Sequence, residues 1–350
     1  MAGVLRRIQT AAINTTPLLV STVNVNFLAN SVVNAEFRNS VLLSDLCPVD
    51  GMPILWIARL LGVPIKRRVA GSDIFEALKI IHRQHRHPLK IFLFGGPDGV
   101  AAAAAEALNM PPSGLRCVGS IYPGFGTVND MSTDAIIDKI NASGADFLVV
   151  SLGARKGQAW LLRNHRRLHV PVRVHLGAVI NFTSGAVKRA PPILRRLGLE
   201  WMWRVKEEPK LWRRYFHDAC FLIRTLFTRA LPLAIMTQWL RLSRHAQVFA
   251  IGRTRGGDDI TVQLSGFATE RFVAKASAVF RNAISENKKV VIELTNAQFI
   301  DCRFFGLLLM LRKELEATRQ GLEFIGISPR LARLFRLNGV GFLLSEGQGV

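Results

Sequence analysis

Five short apolar runs, Leu18–Val25, Ile91–Phe94, Arg116–Ile121, Phe147–Leu152 and Val172–Leu176, alternate with stretches of helical periodicity. The intervening helices are expected near Ser72–His85, Val100–Leu108, Asp134–Ala142 and Gly157–His165. Apolar strands joined through helices build an α/β domain, here a mostly parallel, Rossmann-like sheet with helices on both faces. In such sheets ligands bind beyond the carboxyl ends of the strands, where glycine-rich loops open helices. Gly95-Gly96-Pro97-Asp98-Gly99 follows one strand in that way. An ordinary βα turn and a ligand-touching role fit it about equally.

A second pattern starts near residue 245. Strands are expected at Ala246–Arg253, Ile260–Ser265, Lys289–Glu293 and Leu322–Ile327, and helices near Thr269–Glu286, Arg303–Thr318 and Arg330–Asn338. Together they make an α/β module of about one hundred residues. A length of 350 residues accommodates two such domains, each able to bury a core. The expected division is 1–185 for the α/β core, 186–244 for a basic helical appendage and 245–350 for the second module. Cys47, Cys117, Cys220 and Cys302 are scattered with no CxxC pair, which fits a reducing cytosol better than a disulfide framework or a zinc site.

The formal net charge of +21 calls for an anionic partner. Between Ala186 and Arg244 there are thirteen Lys or Arg against four Asp or Glu, interleaved with Trp201, Trp203, Trp212, Tyr215, Phe216 and Phe221. Basic residues mixed with bulky apolar ones describe an interfacial amphipathic region facing an anionic membrane surface. No helix-turn-helix, zinc-finger or RNP-type signature accompanies them, so nucleic acid is not the expected partner. No bilayer-spanning helix is expected either. Ile8–Ala35 is uncharged, yet twelve of its 28 residues are Gln, Asn, Ser or Thr, a polar and β-prone stretch. Ala230–Leu240 is apolar but eleven residues long and interrupted by Pro232. The N-terminus has no continuous apolar core or small-residue cleavage site, so no signal peptide is expected. His82, His85 and His87 lack nearby acid or cysteine ligands and read as a polar helix end.

The chemistry concentrates between residues 49 and 73. Val49-Asp50-Gly51-Met52-Pro53 is followed, eighteen residues after the aspartate, by Arg68-Val69-Ala70-Gly71-Ser72-Asp73. Alone, Asp50 reads as a helix N-cap. With a downstream arginine and a Gly-Ser-Asp helix start, it also reads as a base beside an anion site. Ser72 and Asp73 read as the N-cap region of the next helix. No Asp-x-Asp metal motif occurs among the twelve aspartates. An anionic ligand here would then be held by guanidinium groups and helix N-termini rather than by a metal ion.

These two segments resemble the motifs lining the sugar-nucleotide pocket of the WecG/TagA/CpsF glycosyltransferases. The resemblance continues through Gly95-Gly96, Asn141-Ala142-Ser143-Gly144-Ala145-Asp146, Val187-Lys188-Arg189-Ala190-Pro191 and Gly198-Leu199-Glu200-Trp201, over about the first two-thirds of the chain. It implies Asp50 as the general base that deprotonates an acceptor hydroxyl. Direct attack on the anomeric carbon would invert configuration and needs one carboxylate. It further implies Arg68 at the donor, Thr22 and Asn24 of Thr22-Val23-Asn24 at the donor or the reacting hydroxyl, and Gly95 and Gly96 near it. Arg204, Arg213 and Arg214 belong, by the same resemblance, to an appendage that docks to the membrane and closes over the diphosphate. One loop departs from the family. Where relatives carry Gly-x-Pro-Lys/Arg-Gln-Glu before a Trp, this chain has Gly153-Ala154-Arg155-Lys156-Gly157-Gln158-Ala159-Trp160. Gly157 takes the glutamine position, so either the loop shifts to present Gln158 to the donor or donor recognition differs.

The second module resembles a STAS domain through Val291-Ile292-Glu293-Leu294, Phe299-Ile300-Asp301, Gly306-Leu307, Ile327-Ser328-Pro329 and Leu337-Asn338-Gly339-Val340. Its loop, Asp301-Cys302-Arg303-Phe304-Phe305-Gly306, has cysteine where the family's phosphorylated serine stands. That implies docking to a protein partner or a second copy rather than phosphoryl switching, with Cys302 a small buried hydrophobe. The combined expectation is a cytoplasmic enzyme, peripheral on the inner face of the plasma membrane. It moves a hexosyl or N-acetylmannosaminyl unit from a UDP-sugar to a polyprenyl-diphosphate-linked saccharide, with inversion and without a metal or other cofactor. The alternative is a catalytically inactive scaffold binding partners through the second module.

Overall fold

The alternating apolar runs form a sheet whose two faces are both buried. A computed structural model describes residues 1–82, 88–111, 113–242 and 248–345, in two compact units. The first comprises Met1–Leu55 and Lys66–Leu222, the second Trp56–Ile65 and Ile223–Val350. His85, His87 and the expected boundary at 245 lie outside the described residues.

In the first unit, β1 (Leu18–Ser21), β2 (Leu89–Gly95), β3 (Leu115–Ile121), β4 (Phe147–Ser151) and β5 (Val172–His175) form a parallel sheet in the order β1-β5-β4-β2-β3. Successive side chains of a strand point to opposite faces. Val20, Ile91, Leu93, Val149 and Val174 accordingly enter one core with helices Ala2–Ile13, Gly71–His82 and Val100–Asn109. Leu19, Phe92, Phe94, Leu148 and Val150 enter the other, where Trp160 of helix Ala154–Asn164 stacks on Phe94 at 4.4 Å. The Trp160 indole N–H donates to the Met131 carbonyl at 2.7 Å, so the largest fully buried side chain is also satisfied.

The N-terminal stretch differs from its expected β character. Apart from β1 it is largely helical, as Ala2–Ile13 and Val25–Val33, followed by Ala35–Leu43. Two of its asparagines cap helices. Asn24 Oδ1 accepts from the Phe27 N–H at 3.1 Å, and Asn34 Oδ1 from the Phe37 N–H at 2.8 Å.

In the second unit, β6 (Phe249–Arg255) pairs antiparallel with β7 (Asp259–Ala268). Parallel neighbours β8 (Lys289–Glu293) and β10 (Leu322–Ile325) complete the order β10-β8-β7-β6, with β9 (Ala297–Ile300) beside β7. One core collects this sheet with helices Val273–Ile284, Cys302–Ala317 and Pro329–Leu337, together with Leu61 and Leu233. Asp301 caps the Cys302–Ala317 helix, accepting from the Phe304 N–H at 2.7 Å and also from the Glu270 N–H at 2.6 Å. Cys302 is partly buried, its thiol 3.6 Å from the Leu61 carbonyl and its pKa raised by burial. A protonated, packed thiol matches the small-hydrophobe expectation better than a reactive one.

The expectation of no bilayer-spanning helix meets one candidate, by length and composition alone. Among the described residues, one helical stretch, Pro209–Trp239, is 31 residues long and has a window apolar enough to cross a bilayer. Pro232 falls inside that stretch, at the second residue of helix Leu231–Leu242 and directly after the π-helical turn Leu226–Ala230.

Candidate active site

Three segments far apart in sequence are laid side by side beyond the end of β1. The Asp50 N–H donates to the Val23 carbonyl at 2.8 Å, and the Val69 N–H donates to the Val49 carbonyl at 2.8 Å. Val23 and Val49 also form a parallel bridge. Two hydrogen-bonded steps therefore bring Thr22 and Asn24, then Asp50, then Arg68 to one wall. That wall belongs to a cavity of about 500 Å³ within the first unit. Its other walls come from the ends of β4 and β5, through Gly153, His175 and Gly177, and from the appendage, through Glu200, Arg204 and Arg214. All five strands run parallel, so their carboxyl ends share one edge and the cavity forms there.

Asp50 is not a cap of its own helix. Its Oδ2 accepts from the Gly71 N–H at 3.3 Å, at the start of helix Gly71–His82. Gly71 eases that approach: a Cβ there would stand 2.4 Å from Leu176 Cδ2 and 3.3 Å from Thr22 Cγ2, so a larger residue would require the Leu176 side chain to shift. Burial pushes the Asp50 pKa up to about 6, against the lowering effects of the Gly71 N–H and the Arg68 charge. A carboxyl with that affinity for protons is ionised at neutral pH and is a stronger base than an ordinary aspartate.

Arg68 reaches the cavity but is already paired, 3.2 Å from Glu200 and 3.4 Å from Asp73. Asp73 is the centre of a cluster, bonded also to Arg189 and lying 3.6 Å from Arg195. Its carboxylate thus holds arginines, where the sequence suggests a helix cap. Arg204 pairs with Glu208 at 2.8 Å, and the Arg214 guanidinium lies over the Tyr215 ring at 4.8 Å.

Four expected residues are not brought to the cavity. Gln158 is fully buried behind it, its Oε1 accepting from Ser21 and Ser40 and its Nε2 donating to Ser21. The loop does not shift to present it, because those serines satisfy the amide in place. Gly95 and Gly96 are absent from the lining. Both have positive φ, and a Cβ on Gly95 would meet the Ser151 carbonyl at 2.6 Å, so they form a tight turn against β4. Arg213 lies over Trp212 instead of lining the cavity.

Two lining residues escaped the sequence reading. Asp218 is buried, accepts from Asn26 Nδ2 at 3.2 Å, and has its pKa raised by burial. Its signal was available: it is the only acid between Pro209 and Arg244. His175 closes β5, and a lone histidine at a strand end gives no sequence signal.

Comparison with known proteins identifies the family. Residues 1–233 match the model of the glycosyl transferase WecG/TagA/CpsF family, and residues 251–345 match that of the Mlab STAS domain. An N-acetylglucosaminyldiphosphoundecaprenol N-acetyl-beta-D-mannosaminyltransferase of Bacillus spizizenii is 30% identical over 196 residues, 56% of this chain and 73% of the relative. A Staphylococcus aureus protein of the same name is 24% identical over 207 residues, 57% of this chain and 75% of the relative. Among solved structures, the anti-sigma factor antagonist SpoIIAA in its unphosphorylated form shares 22% identity, covering 28% of this chain and 85% of that one with a TM-score of 0.24. An antisigma-factor antagonist STAS domain from Rhodobacter sphaeroides shares 18%, covering 24% and 97%, with a TM-score of 0.21. The chain is a glycosyltransferase of the WecG/TagA/CpsF family, followed by a STAS domain.

Proposed function

We propose that this enzyme transfers a hexosyl or N-acetylmannosaminyl unit from a UDP-sugar to a polyprenyl-diphosphate-linked saccharide, in the synthesis of a cell-surface polysaccharide. The two relatives named for transfer of N-acetylmannosamine to a diphosphoundecaprenol-linked sugar support the acceptor class. The observation that carries the reading is Asp50, a carboxyl with a raised pKa on the wall of a cavity that arginines also line. Asp50 takes the proton of the acceptor hydroxyl while that oxygen attacks the anomeric carbon from the face opposite the departing UDP, so the configuration inverts. Thr22 and Asn24 orient the donor. Arg204 and Arg214 meet the diphosphate charge; Arg68, held by Glu200 and Asp73, fixes the field around Asp50 and adds to that charge.

Replacing Asp50 separates chemistry from stability. A carboxyl whose folded pKa of about 6 exceeds its unfolded value stabilises the fold at low pH, and that contribution is lost as pH rises through 6. At neutral pH the buried carboxylate is therefore a cost. Asp50→Asn should cut turnover by at least ~10²-fold. The same change should raise unfolding stability at pH 7.5 by roughly 1–3 kcal/mol, with no gain at pH 4. Steady-state assays and denaturant titrations read both; near-normal turnover removes Asp50 from the mechanism.

With arginines in place of an Asp-x-Asp motif, transfer should persist in excess EDTA. Abolition by EDTA with recovery on adding magnesium or manganese would contradict this account of diphosphate stabilisation.

The appendage supports a place on the inner face of the plasma membrane, as a peripheral rather than a spanning protein. Trp212, Phe216, Ile223 and Phe227 are exposed and recur at spacings of four, seven and four, one face of a helix. Lys and Arg around them add attraction to anionic lipid, about 1 kcal/mol each near the surface. Binding to liposomes should need anionic lipid and fall with salt, and Trp212→Glu with Phe216→Glu should reduce it at least ~10-fold. Resistance of the bound protein to alkaline carbonate would show instead that Pro209–Trp239 spans the bilayer. The STAS domain, which contributes nothing to this catalytic scheme, docks to a protein partner or a second copy.

A further inference from the structure

The catalytic scheme gives the STAS domain no part, yet one segment of the transferase belongs to its unit. Asp50 and Arg68 lie in the first unit, whereas Trp56–Ile65, between them in sequence, groups with the STAS domain in the second. The connection from Asp50 to Arg68 is a closed loop, pinned at its base by the Val69 N–H on the Val49 carbonyl at 2.8 Å. Its far turn carries Leu61.

The limb that leaves Asp50 is stiff. Helix Met52–Leu60 starts directly after Asp50-Gly51, and the Leu55 N–H donates to the Gly51 carbonyl at 3.3 Å. The helix ends in a cap that uses a left-handed glycine. Gly62 has a φ of 74°, its N–H donates to the Arg59 carbonyl at 3.0 Å, and the Val63 N–H donates to the Ala58 carbonyl at 2.8 Å. Leu61 stands between the helix and that glycine, so its place is tied to the helix.

At Leu61 the STAS domain takes hold. The leucine packs against the core cluster that includes Ile300, Phe304 and Phe305. Its carbonyl lies 3.6 Å from the thiol of Cys302, the first residue of helix Cys302–Ala317. Apolar packing supplies the hold; the thiol is a weak donor and adds direction. Coupling between distant parts of a chain travels through packed side chains and rigid elements, and here one short helix joins Leu61 to Asp50.

We propose that the STAS domain braces the loop between Asp50 and Arg68 by holding Leu61, and that this hold sets how Asp50 is placed in the active site. The proposal rests on the sugar-transfer reading above, with Asp50 as its base. The domain supplies no catalytic group; Leu61 and Cys302 are positioning residues. A partner that docks at the start of helix Cys302–Ala317 must displace Leu61, and transfer changes when it does.

Two substitutions at one position separate the brace from the fold. Cys302→Ser keeps a donor toward the Leu61 carbonyl. Cys302→Asp sets a carboxylate against that carbonyl, at a helix N-terminus where an acid is tolerated. On the full chain, hydrogen exchange is followed over residues 56–65, and transfer from a panel of UDP-sugars to a short lipid-diphosphate acceptor is followed across pH. In Cys302→Asp, exchange at Leu61, Gly62 and Val63 should rise ~10-fold or more, and turnover should fall by a similar factor. The acid limb of the pH–rate profile, set near 6 by Asp50 in the wild type, should move down as the burial that raises it is relieved. Cys302→Ser should match the wild type in all three. A partly unfolded preparation scales turnover without moving the limb, so the limb reports the placement of Asp50. If Cys302→Asp does not fold, Leu61→Ala carries the same expectations. Faster exchange with turnover and limb unchanged overturns the coupling and leaves the transferase reading standing. Unchanged exchange in both Cys302→Asp and Leu61→Ala overturns the hold itself. A wild type that transfers from no sugar nucleotide overturns the transferase reading and the coupling together.

Discussion

The site depends on the backbone ladder that joins Val23 to Val49 and Val49 to Val69. Its two 2.8 Å hydrogen bonds convert sequence separations of 26 and 18 residues into adjacency, so that Asn24, Asp50 and Arg68 line one wall. Side chains carried on hydrogen-bonded backbone hold their relative positions better than side chains on free loops. Gly71 completes the arrangement by letting the start of its helix come within 3.3 Å of the Asp50 carboxylate.

The electrostatics around that wall oppose one another. Burial raises the Asp50 pKa, while the Gly71 N–H and Arg68 lower it and Glu200 and Asp73 raise it. Arg68 would depress the carboxyl further if its charge were not shared with Glu200 and Asp73. The cluster around Asp73, Arg189 and Arg195 thus tempers the field at Asp50, leaving a carboxyl that is charged at neutral pH yet takes up protons more readily than an ordinary aspartate. Burying an acid in this way sacrifices stability, as is common where function sets the residue.

The sequence made the two α/β patterns legible because period and length agree: apolar runs such as Phe147–Leu152 are buried on both faces and bounded by helices. It misjudged Ile8–Ala35, where Asn24 and Asn34 cap helices through contacts that composition does not reveal. It did not anticipate β9, a four-residue strand with one exposed position. At the site, Asp50 and Arg68 were visible because a short segment carries both. Arg204 and Arg214 were visible through the family resemblance. Gln158 was misplaced because a polar residue near a cavity can equally face away from it, and only the positions of Ser21 and Ser40 decide. His175 was invisible, since a lone histidine at a strand end carries no pattern.

In the proposed mechanism Asp50 is a base made strong by its surroundings. Its carboxyl can be titrated directly, by following the carbon-13 signal of labelled aspartate in the folded enzyme and assigning it with Asp50→Asn. The account predicts a midpoint near 6, with the signal ionised at physiological pH. A midpoint near the ordinary aspartate value of about 3.9 would show a solvated, unperturbed carboxylate and would contradict it.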